Sequence, residues 1–489
     1  MKKILSALIV LILILVLFIP LAEATTHSDS TKTPVKHVIN IFLENHTFDN
    51  FFGIYPSDPD SLNTSMVKNL SVPVNLLQNI SLLNSLSAVP PYQYYTADPV
   101  EGYLAYHADW NNGKMNNFKI GSGPQSMTYY TSSQLGPLWD LAEQYSIADM
   151  YFAPQMSESA PNTLYYYAGY SPVFNDYGPS PYIPFSETIF GELNSFNISW
   201  GAFVYNPASK SFDESAYIAG LNTYSDHIQG WNTFISDLAN GTLPSVSWIF
   251  SQDTNGGQYT MGAPYNVLKG ELWIMYIINK IESSPIWNST TVFITWDDPG
   301  GYYDQVSPPT LDGVQLGMRL PLIVVSPYAK EDYISSTVMN HASILAFIDY
   351  NWNIPALNRF VSYSNIPLDM FNFNEPYQNG NVARVPISFN AVPLPSSIEF
   401  NLPSNSSRYN FSSIFPMTPQ YPFITLNYSR LGSSTVNLST LNSGIFVTND
   451  ISETPFYYTP AFFILIIIID AILLALIIWI RGGSYDREK

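Results

Sequence analysis

Short apolar runs rich in β-branched residues, separated by segments of helical periodicity, are the feature of this 489-residue chain that most constrains its fold. Residues 38–43, 291–296 and 320–325 are such runs, and residues 246–250 form a fourth, weaker one. An apolar run of this length is typical of a strand buried on both faces of a sheet. The clearest helical periodicity lies over residues 267–281. Strands alternating with helices in this way predict an α/β fold with a mostly parallel sheet.

Acidic pairs directly follow two of these predicted strands. Glu44 and Asn45 come after the first run, and Asp297 and Asp298 come after the second. Because ligands of open α/β sheets bind at the carboxyl ends of the strands, we expect these four side chains to converge there. Three carboxylates and an amide suit a hard or borderline divalent ion. Acidic residues at strand ends also serve as solvated loop residues or helix caps, and the spacing alone leaves that alternative open.

A serine stands where a third segment enters a predicted helix. Ser159 precedes Pro161 by two positions, and proline is tolerated in the first turn of a helix. Ser159 therefore lies near the helix N-terminus, where free N–H groups and the helix dipole favour an anion. It is either a nucleophile facing that end or a residue that merely caps the helix. Another helix is predicted to start after Asn340, a good N-cap residue.

Several blocks of sequence between residues 36 and 373 carry a more specific signal. They are KHVINIFLENHTFDNFFG at 36–53, HADWNNGKM at 107–115, DMYF through SAPN at 149–162, TWDDPGGYYD at 295–304, LPLIVVSPYA at 320–329 and HASIL at 341–345. In this order they resemble the phosphoesterase family that contains bacterial phospholipases C and acid phosphatases, within the alkaline-phosphatase-like superfamily. The resemblance implies an α/β sandwich over residues 25–384, with a mostly parallel central sheet and helices on both faces.

The resemblance also implies a role for each acidic pair and for the serine. Glu44, Asn45, Asp297 and Asp298 would hold one divalent metal ion, and Ser159 would lie beside it. The ion would polarise a phosphoryl oxygen and lower the pKa of the serine hydroxyl. The serine could then attack phosphorus and form a phosphoserine intermediate, which water hydrolyses.

Two histidines are further candidates that the resemblance brings out. His107 and His341 would bind the phosphoryl oxygens or protonate the leaving alcohol. We expect both rings to be cationic at acid pH, which suits these tasks. A structural hydrogen bond is the alternative for either ring.

The chain departs from the family where histidines are often found. Glu101 and Gln305 stand at two such positions, and Met261 and Gly262 stand near a third. Fewer cationic donors around the phosphate should weaken the stabilisation of charge in the transition state. The substrate class, phosphomonoester or phospholipid, therefore stays open. A non-catalytic surface glycoprotein with an adhesion or envelope role is the alternative to an extracellular acid phosphatase or phospholipase C-like hydrolase.

The two ends of the chain predict a protein at the cell surface. Residues 1–24 have the basic start, apolar run and small-residue cleavage site of a signal peptide. Residues 456–480 are predicted to form a transmembrane helix, and the basic tail at 481–489 places the C-terminus in the cytoplasm. Residues 385–455 predict a small β-rich, glycosylated module or stalk, with an irregular spacer as the alternative.

The composition narrows the set of partners and chemistries. A formal net charge of -19 without any basic stripe argues against nucleic-acid binding. The absence of cysteine excludes disulfides and a thiol nucleophile. Charged residues make up 12% of the chain and N-x-Ser/Thr sequons recur, which favours an acidic external habitat as a hypothesis. One sequon falls on Asn45, and a metal ligand cannot carry a glycan, so we expect that residue to be unmodified.

Overall fold

The computed structural model describes most of residues 30–374 and two short strands beyond them. The described ranges are 30–55, 86–90, 93–176, 183–252, 257–374, 424–426 and 434–436. The predicted signal peptide (1–24), membrane-spanning segment (456–480) and cytoplasmic tail (481–489) lie outside these ranges, as does most of the predicted module at 385–455. Among the described residues, no helix has the length and apolar content that a membrane crossing needs.

One eight-stranded sheet forms the centre of the fold. Its strands in chain order are β1 His37–Leu43, β2 Ser146–Ala148, β3 Trp200–Val204, β4 Ile228–Gly230, β5 Val246–Phe250, β6 Thr290–Trp296, β7 Leu322–Val325 and β8 Tyr333–Ser335. The order across the sheet is β8-β2-β7-β6-β1-β5-β3-β4. Strand β7 runs antiparallel to both of its neighbours, and every other neighbouring pair is parallel. This mostly parallel sheet fits the predicted alkaline-phosphatase-like α/β architecture.

The predicted apolar runs form strands whose side chains are buried on both faces of the sheet. Strand β6 is buried at each of its residues, and β1 is buried from its second residue onward. The predicted strands at 38–43, 246–250 and 291–296 are confirmed to within one residue. The third predicted run begins two residues later than expected, at Leu322. Pro321 has no N–H to donate to a neighbouring strand, so the ladder starts after it.

In the sequence of the described residues, ten α-helices lie between and after the strands of the sheet. They are α1 Phe48–Phe52, α2 Tyr103–Trp110, α3 Phe118–Gly121, α4 Ser132–Gln144, α5 Ser159–Ala168, α6 Ile189–Ser195, α7 Trp231–Asn240, α8 Val267–Glu282, α9 His341–Trp352 and α10 Arg359–Tyr363, counted within the described residues. The helix predicted at 267–281 is α8, and its N-cap Asn266 accepts hydrogen bonds from the N–H groups of Leu268 and Lys269. Asn340 caps α9 as expected.

Shorter elements complete the described part of the chain. Small two-stranded sheets join Ser87–Ala88 to Thr128–Tyr129, Tyr151–Phe152 to Met339–Asn340, Ile183–Pro184 to Ile218–Ala219, Thr310–Leu311 to Val314–Gln315, and Ile424–Leu426 to Ser434–Val436. Short 3-10 helices cover Pro124–Met127, Phe185–Glu187, Pro207–Ser209, Ser215–Tyr217, Leu221–His227, Trp287–Ser289 and Pro367–Met370. The last of the strand pairs lies in the predicted β-rich region, most of which is outside the described residues.

A buried ionic cluster ties α1 to the loop that follows β6. Arg319, which is fully buried, donates from Nη2 to Asp49 and from Nε to Asp304, at 2.9 Å in each case. Its Nη1 donates to the carbonyl of Asp149 at 3.0 Å, and its guanidinium lies 4.8 Å from the ring centre of Phe48. We call Arg319, Asp49 and Asp304 the arginine cluster. It fixes the two segments that carry the candidate site, since Asp49 and Asp304 each lie a few residues after an acidic pair.

Candidate active site

The two acidic pairs leave the sheet side by side. Strands β1 and β6 are parallel neighbours, and their last residues, Leu43 and Trp296, are partners in register. The residues that follow therefore emerge at the same edge. The backbone N–H of Asn45 donates to Asp297 Oδ1 at 2.7 Å, and that oxygen also accepts from the N–H of Asp298 at 2.7 Å. The expected convergence follows directly from the parallel pairing of these two strands.

Ser159 lies against both acidic pairs. It is the first residue of α5, and its Oγ is 3.1 Å from Glu44 Oε1 and 3.2 Å from Asp298 Oδ2. The N-cap residue of α5 is Glu158, and no side chain caps the helix. Of the two sequence-based readings of this serine, capping is therefore wrong. Its hydroxyl instead points at carboxylates that come from two different strands.

A carboxylate that sequence reasoning missed completes the group. Ligand oxygens of Glu44, Asp213 and Asp297 all lie within 4.8 Å of one another. Asp213 follows β3 by nine residues and is held by Gln252, whose Nε2 donates to Asp213 Oδ1 at 2.9 Å. No pattern in the sequence marks Asp213, because it belongs neither to a strand end nor to one of the resembling blocks.

Two buried acceptors of the acidic pairs, Asn45 Oδ1 and Asp297 Oδ2, have no hydrogen-bond partner among the described residues. Asp298 Oδ1, in contrast, accepts from the N–H of Gly300 at 2.5 Å and from the hydroxyl of Tyr106 at 3.2 Å. A buried acceptor without a partner costs about 1–3 kcal/mol. Carboxylate and amide oxygens left free in this way fit the donor set of a divalent cation.

No cation of the chain balances this charge within the described residues. We call Glu44, Asp213, Asp297, Asp298 and Glu101 the acidic cluster, and no Lys or Arg in the described part of the chain forms an ion pair with any of them. Burial, followed by repulsion from neighbouring carboxylates, raises the pKa values of Glu44, Glu101 and Asp298 well above their usual range. Burial raises the pKa of Asp297 to about 6 and that of Asp213 to about 7.

His341 serves a structural purpose that its sequence context did not reveal. Its Nε2 donates to the backbone carbonyl of Asp297 at 2.8 Å, and its Nδ1 accepts from the hydroxyl of Tyr151 at 2.7 Å. Burial lowers the pKa of this ring to about 3. The ring is therefore neutral above about pH 3, so the expected positive charge at acid pH is wrong over most of that range. Both ring nitrogens are engaged, and the neutral ring holds the main chain at Asp297 in place.

The described hydrogen bond of His107 is made within its own helix. Its Nδ1 bonds to the backbone carbonyl of Tyr103 at 2.7 Å, and its ring centre is 3.9 Å from that of Tyr103. Burial lowers the pKa of His107 to about 4, so the ring is neutral in mild acid, contrary to expectation. Within the described residues no hydrogen bond joins His107 to Ser159 or to the acidic cluster.

The residues that replace the expected histidines have specific contacts. Glu101 Oε1 accepts from Asn45 Nδ2 at 2.8 Å. Gly262 packs against Glu44, and a Cβ added at Gly262 would lie 2.6 Å from Glu44 Cγ. Gln305 donates its N–H to Asp49 Oδ2 at 2.6 Å and so belongs beside the arginine cluster. Glu101 and Gly262 therefore contact residues of the candidate site, whereas Gln305 contacts the arginine cluster.

The start of α5 differs from the expected open anion site. The N–H of Ala160, next to Ser159, donates to Asp176 Oδ1 at 2.7 Å. The N–H of Asp176 in turn donates to Glu158 Oε1 at 2.8 Å. The Asp176 carboxylate thus accepts the hydrogen bond from the Ala160 N–H, which we expected to bind a phosphoryl group. A helix N-terminus favours any nearby anion.

Sequence comparison assigns the chain to a family. The model of the phosphoesterase family matches residues 35–355, and the chain belongs to that family. This membership confirms the resemblance and the expected class, a hydrolase acting on phosphoric ester bonds.

Curated relatives include phospholipases C from bacteria and a plant. A non-hemolytic phospholipase C of Burkholderia pseudomallei is 25% identical, covering 68% of this chain and 57% of the relative. Phospholipase C A of Mycobacterium tuberculosis is 24% identical, covering 70% and 78% of the two chains. A non-specific phospholipase C6 of Arabidopsis thaliana is 24% identical, covering 67% and 70%. Among solved structures, an alkaline phosphatase superfamily protein from Vibrio parahaemolyticus is 13% identical, with a TM-score of 0.33, over 60% of this chain and 80% of that one.

Proposed function

We propose that this chain is a phosphoesterase of the phospholipase C type, with Ser159 as its nucleophile and one divalent cation in its site. The observation that carries the proposal is the position of Ser159 Oγ, 3.1 Å from Glu44 and 3.2 Å from Asp298. The names of the phospholipase C relatives support the same reaction class.

The acidic cluster supplies the proposed ligands. Glu44, Asn45, Asp297 and Asp298 would hold the cation, and the position of Asp213 supports it as a further ligand. A divalent cation bound there would polarise a phosphoryl oxygen and lower the pKa of the serine hydroxyl. The two unpartnered buried oxygens, Asn45 Oδ1 and Asp297 Oδ2, fit this use.

The chain's own groups then carry the proton and the new bond. The hydroxyl proton of Ser159 passes to one of the two carboxylates that it contacts, Glu44 or Asp298. The serine oxygen forms a bond to phosphorus while the bond from phosphorus to the leaving alcohol breaks, and the alcohol takes up a proton. Water then hydrolyses the phosphoserine intermediate and restores the hydroxyl.

The charge of the site favours a phosphodiester over a phosphomonoester. A monoester dianion carries two negative charges near neutral pH, whereas a diester carries one. Glu101 places a carboxylate where the resemblance expects a cationic donor, and it bonds to Asn45 within the acidic cluster. Because a cationic donor is absent at this position, the second charge of a monoester dianion lacks a partner there, and the singly charged diester should bind and react better. A phospholipid is such a diester.

The proposed setting is the cell surface. The signal-peptide pattern at residues 1–24 and the apolar run within 456–480 support a catalytic domain outside the cell and an anchor in the membrane. An anchored enzyme would stay close to lipid head groups, which agrees with a phospholipid substrate.

Activity of the full-length protein tests the proposal. We expect hydrolysis of phosphatidylcholine to exceed hydrolysis of a chromogenic phosphomonoester, and we expect a chelator to abolish both. Ser159→Ala should lower the rate by about 10⁴-fold or more, because the bond-forming atom is removed. Ser195→Ala is the matched control, since Ser195 is exposed and its hydroxyl bonds only to its own helix, at the carbonyl of Gly191. Equal rates for Ser159→Ala and the wild-type protein would refute the nucleophile.

A further inference from the structure

We infer that Glu101 is a positioning residue, which turns the Asn45 amide so that Oδ1 faces the cation site. The inference rests on the metal site of the proposed function and adds a role for a residue outside the ligand set. It explains why an acidic residue stands at a position where the resemblance expects histidine.

Asn45 is held from three directions. Its backbone N–H donates to Asp297 Oδ1 at 2.7 Å, and its Nδ2 donates to Glu101 Oε1 at 2.8 Å. Gly300, at φ +57°, packs directly on the side chain, since a Cβ added there would lie 2.5 Å from Asn45 Cβ. Asn45 itself is 4% exposed and has a positive φ of 59°. The side chain therefore has little freedom besides the rotation of its amide group.

The partner of the amide decides which end faces the site. The oxygen and nitrogen ends of an asparagine amide have nearly the same shape, but one accepts hydrogen bonds and the other donates them. A carboxylate accepts, so Glu101 selects the Nδ2 end and directs Oδ1 the other way. In that direction Oδ1 is buried and has no hydrogen-bond partner among the described residues. A cation requires an oxygen there and would be repelled by the NH₂ group.

Contacts of this kind are known to affect metal affinity. Groups that orient a ligand from behind typically contribute 10–100-fold to affinity or activity. Glu101 is suited to such a task, because Asn45 Nδ2 has the polarity that a carboxylate binds.

Affinity for Mn²⁺, measured by titration calorimetry on the full-length protein, tests the role without relying on turnover. Glu101→Ala should weaken binding by about 10–100-fold. Glu101→Gln should retain most of the affinity, because its Oε1 can accept the same hydrogen bond. Unfolding temperatures measured without metal serve as the control that both variants fold.

A double-mutant cycle with Asn45→Ala separates positioning from direct ligation. If Glu101 acts through Asn45, Glu101→Ala should cost nothing further once the amide is gone. An equal loss in both backgrounds, or no loss in the wild-type background, would overturn the role of Glu101 while leaving the metal site intact. A wild-type protein that fails to bind Mn²⁺ would instead overturn the metal site, and the role of Glu101 with it.

Discussion

Two buried groups of carboxylates both draw residues from the segments that follow β1 and β6, but only one of the groups contains a cation of the chain. In the arginine cluster, Asp49 and Asp304 share the guanidinium of Arg319 at 2.9 Å. In the acidic cluster, no Lys or Arg of the described residues forms an ion pair with the carboxylates. Burying unpaired charge is costly, so a fold keeps it only where something outside the chain compensates. The arginine cluster therefore stabilises the fold, whereas the carboxylates of the acidic cluster are suited to binding a cation.

The largest expected effect comes from removing the cation of the arginine cluster. Arg319→Met should lower the free energy of unfolding by about 3–5 kcal/mol, because two buried carboxylates lose their partner. Urea denaturation measures the change. Arg359→Met is the matched control: its pair with Asp312 has an arginine side chain that is 43% exposed, and such pairs contribute about 0–1 kcal/mol. A loss at Arg319 no larger than the loss at Arg359 would contradict the structural role.

Adding a divalent cation should stabilise the protein through the acidic cluster. At a metal concentration of 100 times Kd, the gain in unfolding free energy is about 2.7 kcal/mol. Thermal unfolding with Mn²⁺ and with a chelator measures the difference. Asp297→Asn should reduce the gain, whereas Ser195→Ala should leave it unchanged. Stabilisation that survives intact in Asp297→Asn would place the bound metal elsewhere.

The chelated protein should lose stability as pH rises through the acidic cluster's titration. Folded-state pKa values of about 6 for Asp297 and about 7 for Asp213 exceed the ordinary value of 3.8. The folded state therefore holds protons that the unfolded state has released, and stability falls between about pH 4 and pH 7, with a slope of order 1 kcal/mol per pH unit. Asp213→Asn should flatten this slope, and urea titrations across pH measure it. A slope of the opposite sign would mean that the carboxylates are already compensated.

The last prediction is that Asn45 carries no N-linked glycan. The sequon at residues 45–47 begins with a side chain that is 4% exposed and bonded to Glu101. We expect peptide mapping of the protein to find no glycan there, even if exposed sequons such as the one at Asn197 are occupied. Sugar on Asn45 would exclude it as a ligand.

The sequence predicted the parts of the fold that are buried on both faces. Strands β1 and β6 were recognisable because their apolar runs are continuous and end in acidic pairs. The apolar run of strand β3 is short and interrupted by Gly201, and strands β2, β4 and β8 have only three residues each, too few to show a pattern. Their places in the sheet follow from tertiary packing rather than local preference.

Sequence patterns pointed to side chains that the structure brings together, but they missed Asp213 and the burial of the two histidines. Glu44 and Ser159 were found because they lie in recognisable blocks, whereas Asp213 lies in a loop without any pattern. The two histidines were expected to be charged because their sequence positions resemble those of a phosphate site. Burial keeps them neutral instead, and burial at a given residue depends on the whole fold.

The contact between Gly300 and Asn45 has a consequence for redesigning selectivity. Position 300 combines a left-handed backbone with a neighbour 2.5 Å from where any side chain would begin, so libraries that diversify this loop should keep glycine there. Position 101 reaches the same asparagine through a hydrogen bond of 2.8 Å, so we expect glutamine, which offers the same acceptor, to be tolerated there. In directed evolution, residue 101 is therefore the position to vary, whereas residue 300 should stay glycine.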